Sequence, residues 1–131
     1  MKIVADTNVL LRAFLPDEGQ QKAALEALAS AETVAVSVHS LCEFAWVLGR
    51  SYGAKKKQVA TSIRMLLDTG NVVVDRPIVD AGLAVLDAGG DFADGVIAFD
   101  GRWLGADTFV SFDRKAVRLL EQQGVAARLL A

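Results

Sequence analysis

Soft metal ligands and thiols are nearly missing from this chain. Its 131 residues include one cysteine, Cys42, and one histidine, His39. A lone cysteine closes no internal disulfide, which is the pattern of a reducing compartment. Neither Cys42 nor His39 has a partner at zinc-ligand spacing, so a zinc site is not expected. His39 is the sole candidate for metal-free acid–base cleavage and has no second group beside it; a structural or capping role suits it better. No G-x-S-x-G element is present, so the nucleophile elbow of serine hydrolases is absent too. No window reaches the ~18 uncharged apolar residues of a spanning helix. No basic stretch followed by an apolar run and a small-residue cleavage site opens the sequence. A soluble, cytoplasmic protein is the expectation.

What remains is ordinary globular material. Hydrophobic residues make up 53% and charged residues 23%, far from the composition of a disordered chain. A domain of ~130 residues buries roughly two thirds of its unfolded surface without disulfide or metal staples, so the mean hydropathy of +0.34 reads as a rich core. A single domain over residues 1–131 is expected, with no repeat, linker or low-complexity stretch. The net charge of −2 argues against a nucleic-acid partner only at face value. Removing Asp6, Glu43, Asp94 and Asp113 from the 16 acids leaves 12 against 14 Lys and Arg, a remainder of +2. A negative hole on a mildly positive body suits a metal in the hole and phosphates around it.

Along the chain, short apolar runs alternate with helical spacing. Residues 2–5 (KIVA) read as a buried strand ending on Asp6, and 7–15 (TNVLLRAFL) as a helix stopped by Pro16 and Asp17. A helix over 18–30, a strand over 33–37 and a helix over 39–52 follow, with Ser37 and Ser40 available as caps and Gly53 as terminator. Residues 55–68 read as a helix with a solvated Lys55-Lys56-Lys57 start, and 71–74 (NVVV) as a strand. Pro77 suits the first turn of a helix ending near Asp87, before Gly89-Gly90. A helix over 92–104, a strand over 108–111, a helix over 114–123 and a strand over 125–129 complete the series. Strands apolar on both faces and separated by helices predict an α/β fold with a parallel sheet between helical layers.

In such sheets ligands gather at the carboxyl ends of the strands. Asp6 follows the first strand, Glu43 lies early in the helix after the second, Asp94 opens the helix before the fourth, and Asp113 follows the fourth by two residues. Each has a plain structural reading. Asp6 and Asp113 stand where helix caps belong. Asp91 is likewise placed as a cap, with Asp94 at the third helical position, where the helix dipole favours an anion. Glu43, between Leu41, Cys42, Phe44 and Trp46, is expected on a largely buried helix, where an unpaired glutamate is costly; an exposed stripe is the other reading. Four acids on one rim repel unless a cation lies among them. A hard divalent ion such as Mg²⁺ fits an oxygen-only set, and a metal site of that kind suits phosphoryl chemistry.

These four segments resemble the signatures of the PIN-domain ribonucleases and, within them, the VapC-type toxins of toxin–antitoxin pairs. "VADTNVLLRAF" carries Asp6 with Asn8 as its support; "SLCEFAWVL" carries Glu43; "DFADGVIA" carries Asp94 with Asp91 flanking it; "FVSFDRKAVRL" carries Asp113, with Ser111 where Thr or Ser is usual. The resemblance implies a three-layer α/β/α fold around a mainly parallel four- to five-stranded sheet. It further implies a Mg²⁺- or Mn²⁺-dependent endoribonuclease whose metal is held by the four acids, usually a homodimer and inhibited by a cognate antitoxin. Gly95 departs from the family, which more often has a helix former there; the cost is ~1 kcal/mol against alanine, with some loss of local rigidity. Asp100 is expected to face solvent or a partner. Arg12, Arg114 and Lys115 are candidates for contacts to RNA phosphates, as well as ordinary surface charges.

Two other classes share some of these features. A receiver-type signalling module has a similar length, α/β pattern and acidic Mg²⁺ pocket, with Asp75 as phosphoacceptor. It wants a second acid beside Asp6, where this chain has Thr7, and it leaves Glu43 and Asp94 unexplained. A non-catalytic PIN-like binding module would retain the electrostatic cost of the acids without using them.

Overall fold

The computed structural model describes residues 1–16 and 19–131, so the expected break at Asp17 and helix start at Glu18 lie outside the described residues. The described chain is mixed α/β, with seven helices and five strands, every strand pairing parallel. It forms two compact units, residues 1–75 and 76–131. The strands divide between a three-stranded and a two-stranded sheet. Among the described residues no helix is long and apolar enough to cross a membrane.

The first unit runs β1 (Lys2–Val4), α1 (Thr7–Phe14), α2 (Gln20–Ser30), β2 (Thr33–Ala35), α3 (Val38–Tyr52), α4 (Lys56–Leu67) and β3 (Val72–Val73). Its sheet has the order β1-β2-β3, with Ile3 opposite Val34 and Val34 opposite Val72. The 2-residue period of a strand puts those three on one face, and Val34 there is fully buried. The other face carries Val4, Ala35 and Val73, all exposed, so these strands are not apolar-buried on both sides as their sequences predict. Leu10, Leu41, Phe44 and Ile63 are fully buried, and Phe14 of α1 meets Phe44 of α3 edge-to-face at 5.4 Å between centroids.

Local signals set the element ends. Strand β2 ends at Ala35, two residues short of the expected end at 37, although the Val36 N–H still donates to the Val73 carbonyl at 3.0 Å; the Ser37 hydroxyl then accepts from the Ser40 N–H and caps α3. Gly53 closes that helix in the left-handed region at φ 66°. Gln58 accepts from the Lys55 N–H at 2.8 Å and seals the start of α4. Asn71 donates to the Leu28 and Ala31 carbonyls at 2.7 and 3.0 Å, which anchors the approach to β3 on the end of α2.

The second unit runs α5 (Arg76–Asp87), α6 (Phe92–Trp103), β4 (Phe109–Ser111), α7 (Arg114–Gln122) and β5 (Ala127–Leu129). Strands β4 and β5 pair from Phe109 opposite Ala127 to Ser111 opposite Leu129. Helices α5 and α6 pack at unusually short range. A Cβ on Gly82 would lie 2.6 Å from the Phe92 ring, and a Cβ on Gly95 would collide with the Ala81 carbonyl oxygen and come within 2.9 Å of Gly82 Cα. Gly95 is therefore the residue that lets the two backbones touch, not a weak point in α6. The sequence-based expectation of lost rigidity is corrected: close packing fixes the turn that contains Asp94. Gln123 at the end of α7 donates to the Ala84 carbonyl of α5 at 2.9 Å, tying the last helix to the first of this unit.

Candidate active site

Asp6 occupies the N-cap position of α1, in extended conformation at φ −69° and ψ 154°, yet its side chain makes no capping hydrogen bond. Its backbone carbonyl accepts the first bonds of the helix, from the N–H groups of Val9 and Leu10 at 3.0 and 3.3 Å, as an N-cap carbonyl does with or without a side-chain cap. The capping role open to Asp6 from sequence is thus not used, and the carboxylate is exposed at the carboxyl end of β1. The ladder holds its base firmly: the Ala5 N–H donates to Ala35 O at 3.0 Å immediately before it. Asn8 is exposed one residue into the helix.

Glu43 lies in the second turn of α3, the helix that follows β2. The buried side of α3 carries Leu41, Phe44 and Leu48, and Glu43 is exposed on the other. The expectation of a largely buried surrounding is corrected here. In a helix the residues at i±1 and i±2 point away from residue i, so the apolar neighbours Cys42, Phe44 and Leu41 do not enclose it. Trp46, counted among those neighbours, is itself 61% exposed. His39 is exposed one turn before Glu43. Cys42 is half-buried, and burial pushes its thiol above the ordinary value, which makes it a poor source of a thiolate ligand.

In the second unit Asp91 stands at the N-cap of α6 without a side-chain capping bond, and Asp94 is half-buried in the first turn. Both have interaction partners. The Asp94 N–H donates to the Asp91 carbonyl at 3.1 Å, and Gly95 beside it presses α6 onto α5. Asp113 does act as a cap: its Oδ1 accepts from the Ala116 N–H at 3.0 Å. Ser111 Oγ accepts from the Asp113 N–H at 2.9 Å, so the last residue of β4 orients the acid two positions on. Arg114 and Lys115 are exposed in the first turn of α7, Arg12 is half-buried near the end of α1, and Asp100 is exposed.

Asp6 and Glu43 thus belong to the first unit, and Asp94 and Asp113 to the second. Among the described residues no three His, Cys, Asp or Glu side chains form a group that could hold a metal ion. The available donors at these positions are carboxylate oxygens, the chemistry preferred by Mg²⁺ and Mn²⁺.

The family profile of the PIN domain matches residues 3–121. The chain belongs to the PIN domain family. The match begins inside β1 and ends inside α7, so it takes in Asp6, Glu43, Asp94 and Asp113 alike. No curated protein matches the sequence significantly. PIN domains are generally nucleases and typically depend on a divalent metal. Membership in this family removes the receiver-type reading.

Sequence reasoning passed over one feature of this PIN domain. The Arg50 guanidinium carbon lies 5.7 Å from the centre of the Trp46 ring. The signal was present as the four-residue spacing from Trp46 to Arg50, which places both on one helical face.

Proposed function

We propose that this PIN domain is a divalent-metal-dependent endoribonuclease that hydrolyses RNA phosphodiester bonds, with Asp6, Glu43, Asp94 and Asp113 as the residues that hold Mg²⁺ or Mn²⁺. The observation that carries the proposal is Asp6: a residue at a helix N-cap position, inside a PIN domain match, whose carboxylate the helix does not use. When bound, a divalent ion supplies a polarised phosphate and an acidified water without a histidine base.

The chain's own residues do the rest by holding oxygen atoms in fixed directions. Asp6 is carried on the end of a paired strand. Glu43 is carried on a helix capped by Ser37. Asp94 sits on a turn locked by the contact of Gly95 with α5. Asp113 keeps its position through Ser111 and Ala116 while presenting a carboxylate. Asn8 and Asp91 are assigned supporting roles next to Asp6 and Asp94. Arg12, Arg114 and Lys115 are assigned to RNA phosphates, which sets register rather than sequence.

The further biological reading is that of a VapC-type toxin: a homodimer acting in the cytoplasm, silenced by a cognate antitoxin. The four sequence segments that resemble those toxins support it. The test is exposure of a total-RNA pool to purified protein with Mg²⁺ or Mn²⁺, with EDTA and Asp6→Asn as controls and cut ends mapped by sequencing. Discrete cuts lost in both controls are expected; full cleavage by a folded Asp6→Asn protein would overturn the assignment. Co-expression with a small neighbouring reading frame that suppresses cleavage is the expected sign of an antitoxin.

A further inference from the structure

Helix α3 carries His39, Glu43, Trp46 and Arg50 at intervals of four, three and four residues, and all four are exposed. That spacing makes one line along the helix. Trp46 is the only large apolar side chain in the line, and 61% of it is open. A single exposed apolar residue needs no explanation of its own. Trp46 differs by its setting. The Arg50 guanidinium is drawn over its ring at 5.7 Å, and a proposed catalytic acid stands one turn before it.

We infer that Trp46 is a stacking platform for an unpaired nucleobase of the RNA substrate, with Arg50 holding the ring from one side and contacting the adjoining phosphate. The inference rests on the ribonuclease reading above and names the substrate class: single-stranded RNA, since a paired base has no free face to offer. At a rise of 1.5 Å per residue, Trp46 lies about 4.5 Å along the helix from Glu43 and Arg50 about 10 Å. A base stacked on Trp46 therefore brings its own phosphodiester within a nucleotide's reach of Glu43. Trp46 and Arg50 are positioning residues, and no bond to hydrogen or phosphorus changes at either.

The chain has two tryptophans, so Trp103→Phe leaves Trp46 as the sole indole reporter, and Asp94→Asn in the same chain prevents cleavage. Titration with a mixed-sequence single-stranded RNA is expected to quench Trp46 fluorescence to saturation, with the same sequence as a duplex binding about tenfold more weakly. By anisotropy of a labelled oligonucleotide, Trp46→Ala is expected to lose about tenfold in affinity or more, while Trp46→Phe stays within about threefold. Arg50→Ala is expected to weaken binding and lower the salt slope by about one. In otherwise unmodified protein, Trp46→Ala should raise KM for RNA and leave kcat nearly unchanged, as loss of ground-state binding does.

Equal affinity and equal KM in Trp46→Ala, with the parent protein cleaving RNA, would overturn this inference and leave the ribonuclease reading standing. So would a change of sedimentation in Trp46→Ala without a change in RNA affinity, which would assign the indole to a protein interface. A parent protein that neither binds nor cleaves single-stranded RNA would overturn both.

Discussion

Gly95 of α6 faces the Ala81 carbonyl of α5 so closely that no side chain fits between them. The partner atom is backbone, so it cannot rotate aside. Gly95→Ala is expected to destabilise the protein by about 1–3 kcal/mol, the usual range for overpacking a tight contact. Gly101, in the same helix, has nothing within 4 Å of an added Cβ; Gly101→Ala is expected to stabilise by about 0.5–1 kcal/mol. Urea unfolding of the two variants checks both signs. Because Asp94 shares the Gly95 turn, Gly95→Ala is also expected to lower metal affinity.

Asp6 and Asp113 occupy equivalent cap positions but differ in what their side chains do. Asp113 Oδ1 accepts from the Ala116 N–H, and Asp6 makes no such bond. Asp113→Ala is expected to cost about 1 kcal/mol, and Asp113→Asn almost nothing, since asparagine caps as well as aspartate. Asp6→Ala is expected to change stability by less than about 0.5 kcal/mol. Thermal unfolding in EDTA, where no metal contributes, separates these effects from ligand loss.

Metal binding should appear as stability. A ligand that binds only the folded state raises stability by about 2.7 kcal/mol at a hundred times its dissociation constant. Mn²⁺ is therefore expected to raise the melting temperature of the parent protein, and Asp6→Asn, Glu43→Gln or Asp94→Asn to diminish that rise. An equal rise in all variants would place the ion elsewhere.

Burial pushes the Cys42 thiol upward, so the thiolate is scarcer at neutral pH than in the unfolded chain. Alkylation by iodoacetamide at pH 7.5 is expected to be slower in native protein than in denaturant, and to accelerate as pH rises. A thiol raised on folding contributes stability that is present below its unfolded value and lost as pH climbs through the folded one. Any effect of Cys42→Ser on pH dependence should therefore lie on the alkaline side.

Much of the fold can be read from local chemistry, and the exceptions are instructive. The caps at Ser37 and Asp113 and the stop at Gly53 are short-range events, settled within a turn of sequence. Gly95 is different. Its propensity says poor helix former, while its reason is a backbone in another helix, which no propensity contains. Glu43 was misjudged by linear adjacency: Leu41 and Phe44 are its neighbours in sequence and lie on the other side of α3. Asp6 was legible as a position and not as a use, since only coordinates tell whether a side chain turns to its own helix. The Trp46–Arg50 contact was visible as spacing but meaningful only once both residues proved exposed.

The most direct test of the central claim is the single-turnover cleavage of RNA by the parent protein and by Asp6→Asn, Glu43→Gln, Asp94→Asn and Asp113→Asn, each with Mg²⁺ or Mn²⁺ and with EDTA. Four acids acting as one ligand set should each lose about 100-fold or more on substitution, with paired substitutions little worse than single ones because residues that act as a unit are non-additive. Chelation should abolish the parent's activity. A folded variant that cleaves at the parent rate, or cleavage that persists in EDTA, would contradict the account.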